Sequence, residues 1–354
     1  MDFGIFLDFS TRKGLGHETA FQEAFDLVDI AEETGLDTVW LGETHFNGNR
    51  PISAPIVVAS SIATRTKHLR VGMAVQVLPL INPLRIAEEA ATVDQISQGR
   101  FEFGVGRSGN ERAYQAMHIP YEESRERFQE ALDIIIEAWK GEPFSYNGVY
   151  NQVTGAQVTP IPFQKPHPKI RLASTTSDSF SRVGRLGFPI FLSMRGMDMN
   201  DLETNLKDYH KSWVDAGHEG TSGDISVRVP IYVSTTQEGA LTEPRETIEA
   251  YFTRMRQRYE QGRDEEGTGG TGPERALILK ERADRLGRMS YEDILETKVI
   301  CGTPETVIDR LAQFKETLGL TGFTAELNPG GLLPVDAVQR SLRLLATKVM
   351  PAFK

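Results

Sequence analysis

Short apolar runs of strand length alternate with amphipathic stretches of helical spacing along almost the whole chain. That alternation is the mark of parallel βα units, because a parallel strand needs a crossover long enough to return the chain to the same end of the sheet. Eight strands are expected, at 3–8, 38–42, 69–77, 101–105, 169–173, 189–193, 225–234 and 322–327. Helices are expected between them at 17–34, 54–64, 83–97, 122–140, 179–186, 199–216, 245–258 and 303–317, with a last one at 334–349. Eight such units predict an α/β chain of the (β/α)8 TIM-barrel type with insertions, and 354 residues can run as one domain in this class. Groups that do chemistry then belong at the carboxyl ends of the strands.

Two segments depart from the repeat. Residues 143–168 are rich in Pro, Gly, Asn and Tyr, and the run FSYNGVYNQV predicts a small hairpin around Asn147-Gly148. Residues 261–293 carry DEEGTGGTG followed by a strongly charged stretch. They predict an exposed excursion before the last strand, either a tolerated surface insertion or a mobile lid over the strand ends.

Composition removes several classes of function. With 39% hydrophobic and 25% charged residues the chain can fill a substantial core. A net charge of −10, with both signs interspersed along the helices, argues against nucleic acid, which needs a basic stripe to displace counterions. The chain enters its first strand at Phe3 with no basic-then-apolar leader, and no apolar run approaches membrane length, so a soluble cytoplasmic protein without a membrane partner is expected. The single cysteine, Cys301, excludes an internal disulfide and a multi-cysteine metal site, and no histidine-rich or paired-acid spacing speaks for a metal. No G-x-S-x-G elbow speaks for a hydrolase.

The chemistry-bearing residues gather at expected strand ends. The fourth strand breaks into a glycine-rich loop carrying Arg107, and Gly104, Gly106 and Gly109 satisfy G-x-G-x-x-G. The dinucleotide fingerprint, however, belongs to the first βα turn of its domain and opens a helix. Here other strands and helices already precede it, and 110–120 is not apolar at helical spacing. What remains is backbone that an anion can approach closely and a guanidinium that offers it a planar fork. The second strand ends in WLGETHF, placing Glu43 and His45 on one side of extended backbone. Such a carboxylate–imidazole pair serves general acid/base chemistry or merely shapes the loop. The fifth strand ends in ASTTSDS, whose hydroxyls Ser174, Thr175, Thr176, Ser177 and Ser179 exceed what capping the next helix requires, at a helix start that favours an anion. Arg125 either reaches the same anion or is a surface charge, and Glu326 and Asn328 either line the pocket or cap the eighth strand.

The segments DFGIFLDF, GLDTVWLGETHF, VGMAVQVLP, NPLRIAEEAATVDQISQGRFEFGVGR, Ser124-Arg125, GFPIFLS and the closing VMPAFK resemble the bacterial luciferase family of flavin-dependent monooxygenases, particularly its alpha subunit. The resemblance covers nearly the whole chain and is most specific at 82–107. It implies a TIM barrel that binds reduced FMN, supplied by a separate flavin reductase, and reacts it with dioxygen to a C4a-hydroperoxyflavin. By position, Arg107, Arg125 and the hydroxyls Ser174, Thr175, Thr176 and Ser179 resemble the family's FMN phosphate site. Ala74-Val75 matches the place where the family often has a non-proline cis peptide beneath the flavin ring. The family's two adjacent histidines, the first its proposed base, are here Thr44-His45, and a cysteine close to the flavin is here Gly106, leaving more room beside the ring. Light emission is therefore not expected.

The expected function is that of a two-component FMN-dependent monooxygenase acting on a small or medium apolar organic substrate. Catalytic roles fall to His45, Glu43 and Thr44, and Phe6, Phe46, Met194 and Phe323 exclude water. The alternatives are a deazaflavin-dependent oxidoreductase and a non-catalytic flavin-binding partner subunit. Resemblance implies a homodimer or heterodimer formed through the helices at 54–64 and 83–97.

Overall fold

The protein is described by a computed structural model covering residues 1–12, 14–220, 223–264 and 273–354. Eight parallel strands close into a barrel: β1 (Asp2–Leu7), β2 (Thr38–Leu41), β3 (Arg70–Met73), β4 (Phe101–Gly106), β5 (Lys169–Ala173), β6 (Ile190–Ser193), β7 (Ile225–Val233) and β8 (Gly322–Glu326). Each pairs with the next, and β8 closes on β1 in a register that sets Asp2 beside Gly322 and Ile5 beside Ala325. The flanking α-helices among the described residues are α1 (His17–Glu33), α2 (Pro55–Arg65), α3 (Pro83–Ser97), α4 (Glu111–Ala116), α5 (Ser124–Ala138), α6 (Ser177–Leu186), α7 (Met199–Asp215), α8 (Gln237–Thr242), α9 (Arg245–Asp264), α10 (Pro273–Arg288), α11 (Tyr291–Thr297), α12 (Pro304–Leu318) and α13 (Val335–Leu344). Helix α3 illustrates why they form where they do. Asn82 Oδ1 accepts the N–H groups of Leu84 and Arg85 at 3.0 and 3.1 Å, Pro83 sits in the first turn, and Ile86, Ala87, Ala90 and Ala91 make one buried face.

The period of two along each strand sorts the side chains into two layers. Phe3, Ile5, Leu7, Val39, Leu41, Val71 and Met73 join the helices in the main core. Phe6, Trp40 and Phe191, with Ala74 against them, form a separate cluster inside the barrel. Toward the amino ends of the strands the barrel is closed by ions: Arg171 Nε donates to Glu102 Oε2 at 2.7 Å, Arg70 reaches Glu102 Oε1 at 2.8 Å, and Arg171 meets Asp224 at 3.1 Å. The Trp40 ring fits only because its neighbours lack side chains, since a Cβ on Gly72 would fall inside its indole. A Cβ on Gly104 would likewise overlap the Met73 carbonyl oxygen.

Several elements differ from expectation. The third strand is not continuous over 69–77: β3 stops at Met73, the Ala74-Val75 peptide is cis, and a two-residue strand, Gln76–Val77, resumes the pairing against β4 before a 3-10 turn at Leu78–Leu80. Helix α4 forms where no helical spacing was evident: Glu111, Ala113 and Tyr114 are buried, with Tyr114 edge-on to Tyr121 at 5.0 Å. A three-residue strand, Ile300–Gly302, adds to the carboxyl end of β7. The expected final helix ends at Leu344 and passes into a π-helical turn, Leu345–Val349.

The first insertion contains an antiparallel hairpin, Phe144–Asn147 with Gln152–Ala156. Glu130 accepts the N–H groups of Val149, Tyr150 and Asn151, and Asp94 accepts the backbone and side-chain N–H groups of Gln164. The second insertion is largely helical rather than a simple exposed excursion. Helix α9 runs on to Asp264, and Leu286 and Met289 pack with Tyr251, Phe252, Tyr291 and Ile294 in a small core of their own. Residues 265–272, which include most of DEEGTGGTG, lie outside the described residues.

Gly104→Ala is expected to cost about 1–3 kcal/mol through overpacking. Gly109→Ala, where a Cβ meets nothing within 4 Å, is expected to stay within about 0.5 kcal/mol. Urea unfolding of the two variants beside the parent chain checks the contrast.

Candidate active site

At the carboxyl end of β2 the chain leaves extended pairing, yet Glu43 and His45 still meet, with His45 Nε2 2.6 Å from Glu43 Oε1. The other carboxylate oxygen accepts Gln76 Nε2 at 2.5 Å and Val77 N–H at 2.8 Å. One carboxylate thus holds both the imidazole and the short strand just beyond the cis peptide, a link not foreseen from sequence. Thr44 is tied through its backbone N–H to Ile52 O at 2.8 Å. The space beside Gly106 is not open, because Val75 fills it: a Cβ there would lie 2.7 Å from Val75 Cγ2.

A quarter-turn round the barrel, the ends of β4 and β5 make a cationic cradle. Arg107 Nη1 donates to Ser124 Oγ at 3.3 Å, and its own carbonyl accepts the Tyr114 hydroxyl, which fastens the glycine loop. Arg125 is half exposed and pairs with Asp178 at 2.6 Å. Burial opposes ionisation of Asp178, but hydrogen bonds from Thr176 and Arg125 hold its carboxyl below the usual range. Arg182, not anticipated from sequence, stands near Arg107 and Arg125: burial and then the charges of Arg125 and Arg107 lower its pKa, while its guanidinium donates to Gln129 Oε1 at 3.0 Å. Of the β5 hydroxyls, Thr176 and Ser179 do serve the start of α6. Ser179 Oγ accepts Thr176 N–H at 3.4 Å and donates to Thr176 O at 2.5 Å, and Thr176 Oγ1 donates to Asp178. Ser174 does not: its Oγ is buried and without a partner among the described residues. The side chain of Thr175 is exposed, and its carbonyl accepts Arg282 of α10 at 2.8 Å.

The opposite wall, at β7, β8 and β1, is ionic. Arg228 lies over the Phe6 ring with its guanidinium carbon 3.2 Å from the centroid. It holds Glu326 with both arms of its fork, Nε to Oε2 at 2.9 Å and Nη2 to Oε1. Arg195 also reaches Glu326, at 3.1 Å, and Arg50 reaches Asp8 at 3.1 Å. Burial alone would raise the Glu326 pKa, but the charges of Arg228 and Arg195 hold it well below the carboxylate range. Asn328 belongs to the loop instead, accepting Thr247 Oγ1 at 2.8 Å and Leu333 N–H at 3.2 Å. Two of the residues expected to exclude water point elsewhere. Phe46 adopts a left-handed backbone (φ 55°) and is 65% exposed, while Phe323 stacks on Phe3 at 5.9 Å in the outer core. Phe6 and Met194 are buried as expected.

Among the described residues no cluster of three His, Cys, Asp or Glu side chains is placed to hold a metal ion, and no helix is long and apolar enough to cross a membrane.

A closed parallel barrel that carries a cationic cradle, a carboxylate–imidazole pair and an aromatic cluster belongs to the TIM-barrel class, and comparison narrows it. The sequence profile described as luciferase-like monooxygenase matches residues 1–321, and the chain belongs to that family. The oxygenase component of flavin-dependent trigonelline monooxygenase from Acinetobacter baylyi is 24% identical over 338 residues, spanning 94% of this chain and 90% of that protein. The alkanal monooxygenase alpha chain of Photorhabdus luminescens is 24% identical over 362 residues, spanning 100% and 98%. A match to an uncharacterised protein of Sinorhizobium fredii, 29% identical, spans only about half of either chain (54% and 55%). Among solved structures, the oxygenating constituent of 3,6-diketocamphane monooxygenase from Pseudomonas putida, in complex with FMN, superposes with a TM-score of 0.83 at 19% identity, covering 99% and 98%. The same fold occurs in coenzyme F420-dependent tetrahydromethanopterin reductase from Methanopyrus kandleri, with a TM-score of 0.74 at 18% identity, covering 100% and 99%.

Glu326→Gln leaves the buried Arg228 and the partly buried Arg195 without their carboxylate and is expected to cost about 3–5 kcal/mol near pH 7. Because the folded pKa of Glu326 lies below its ordinary 4.5, at about 2, its stabilisation is complete above pH 4.5 and fades as the pH falls toward 2. Unfolding titrations should therefore show the parent and variant converging in acid.

Proposed function

We propose that the protein is the oxygenase component of a two-component system, using reduced FMN delivered by a separate flavin reductase to place one atom of dioxygen into a small or medium organic substrate whose reacting part is apolar. The observation that carries this reading is the cradle at β4 and β5: a buried, unpartnered Ser174 hydroxyl, the start of α6 and the guanidinium groups of Arg107 and Arg125 fit a phosphate dianion. Arg107, Arg125 and Ser174 would hold that phosphate. Ala74, Val75, Phe6 and Trp40 line the floor on which a flat ring would lie. When bound, reduced FMN supplies the electron pair that lets dioxygen give one atom to the substrate and release the other as water.

The chain's own residues divide the remaining work. Glu43 fixes the His45 ring through Nε2 and leaves Nδ1 to hold or move a proton in the site. Phe6, Trp40 and Phe191 keep water from the reacting atoms. Thr44 adds a hydroxyl beside His45, where the family's histidine base is absent. Residues such as Val57 of α2, 64% exposed, and Ile96 of α3, 39% exposed, give those helices apolar surface that fits pairing with a second chain.

Arg107→Ala is expected to weaken FMN binding about 10- to 100-fold through loss of a charge-assisted contact, as read by quenching of flavin fluorescence. An unchanged affinity would remove the phosphate assignment. The deciding experiment mixes the protein, loaded anaerobically with reduced FMN, with oxygenated buffer in a stopped-flow spectrometer. A transient spectrum distinct from both reduced and oxidised flavin is expected. Reoxidation like that of free flavin, or tight binding of F420 in place of FMN, would favour the deazaflavin enzyme or the silent subunit. In the same assay His45→Ala should shorten the transient or lower product yield; if it does neither, the histidine is structural.

A further inference from the structure

The wall formed by β7, β8 and β1 holds more positive charge than it neutralises. Arg50, Arg195 and Arg228 converge on Asp8 and Glu326, and Arg254 stands close enough to feel the charges of Arg50 and Asp8. Four guanidinium groups therefore face two carboxylates. Tyr251, whose ring lies 5.5 Å from the Arg195 guanidinium carbon, adds no negative charge, because burial pushes its phenol pKa up. Uncompensated charge in a poorly solvated site is unfavourable and attracts a counter-ion.

The four arginines are not equally committed. Arg228 spends its fork on Glu326, Arg50 binds Asp8 and the Pro329 carbonyl, and Arg254 donates to the Gly330 carbonyl. Arg195 uses Nη2 for Glu326, while its Nε is buried without an acceptor among the described residues. Its side chain remains 31% exposed. It borders a shallow crevice whose other walls include Tyr259, Arg282, Arg285 and Lys298. Of these, Arg285 is already matched by Asp198 and Asp201. The cradle assigned to the FMN phosphate lies across the barrel at β4 and β5, so a phosphate there leaves this wall's surplus in place.

We propose that the substrate carries a carboxylate, and that Arg195, held in place by Glu326, receives it while the apolar part of the molecule lies toward Phe6, Trp40 and Phe191. A planar carboxylate matches the guanidinium fork, and an arginine already oriented by an ion pair loses little freedom on binding it. Since Arg228 links the two regions, lying on Phe6 and sharing Glu326 with Arg195, an anion on Arg195 sets the distance from that end of the substrate to the aromatic floor. This deepens the monooxygenase reading and rests on it for the identity of the ligand as a substrate.

The test uses the full chain without flavin and two matched pairs of probes, 4-phenylbutyrate against 4-phenylbutyramide and octanoate against octanamide, titrated by calorimetry. The acids are expected to bind at least tenfold more tightly than the amides. Arg195→Gln should bring acid affinity down to that of the amide and leave amide affinity unchanged, and Arg195→Lys should fall between. Where Arg195→Gln does not fold, Arg195→Lys carries the comparison. Equal affinities for acid and amide, binding of neither, or a preference abolished by Arg107→Ala and untouched by Arg195→Gln would overturn the proposal. FMN affinity measured in parallel separates the two readings. A parent chain that fails to bind FMN but keeps the carboxylate preference would sink the monooxygenase assignment and leave the anion site standing.

Discussion

The interior of this barrel is organised around one tryptophan ring. Trp40 projects inward from β2, and Gly72 on β3 must lack a side chain for the indole to fit. Phe191 meets the ring from β6 at 5.1 Å, and Phe6 and Ala74 complete the platform above it. Interiors are packed to the density of organic crystals, so a side chain of this size dictates what its neighbours can be. The floor of the site is thereby set by packing before any polar group is placed.

Above the floor, two carboxylates do the positioning. Glu43 joins the end of β2 to the resumed third strand and to His45. Glu326 joins β8 to Arg228 on β7 and to Arg195 beyond β6. Each spends both oxygens on more than one element, so the loops at the barrel mouth are cross-linked through ion pairs and hydrogen bonds rather than through apolar contacts alone. That arrangement suits a site that must orient charged groups while keeping water off an aromatic surface. The cradle at β4 and β5 and the ionic wall at β7, β8 and β1 stand across the mouth from one another.

The eight barrel strands were legible because each is a short apolar run with a period, and their ends differ from expectation by at most a residue or so except at β3. There the break at Ala74-Val75 has no hydrophobic signature, and only the resemblance pointed to it. Short helices such as α4, α8 and α11 escaped because six or seven residues carry too little periodicity to read. Arg107 and the β5 hydroxyls were legible as a candidate anion site because glycines, a guanidinium and a helix start sit within a few residues of a strand end. Arg182 was not, since its place follows from the contact of α6 with α5, where it donates to Gln129 and lies over Phe128. Phe46 was misread because its sequence position places it at the mouth, whereas its left-handed backbone turns it to solvent.

The sequence by itself determined the alternation, the count of barrel strands and the kind of chemistry at two strand ends, because those are properties of neighbouring residues. Tertiary structure alone decided that Asp8, Arg50, Arg195, Arg228 and Glu326, spread from one end of the chain to the other, form one charged wall. The physical reason is closure: β8 pairs with β1, so residues more than three hundred positions apart become neighbours, and no local pattern records which charges will face each other across that seam.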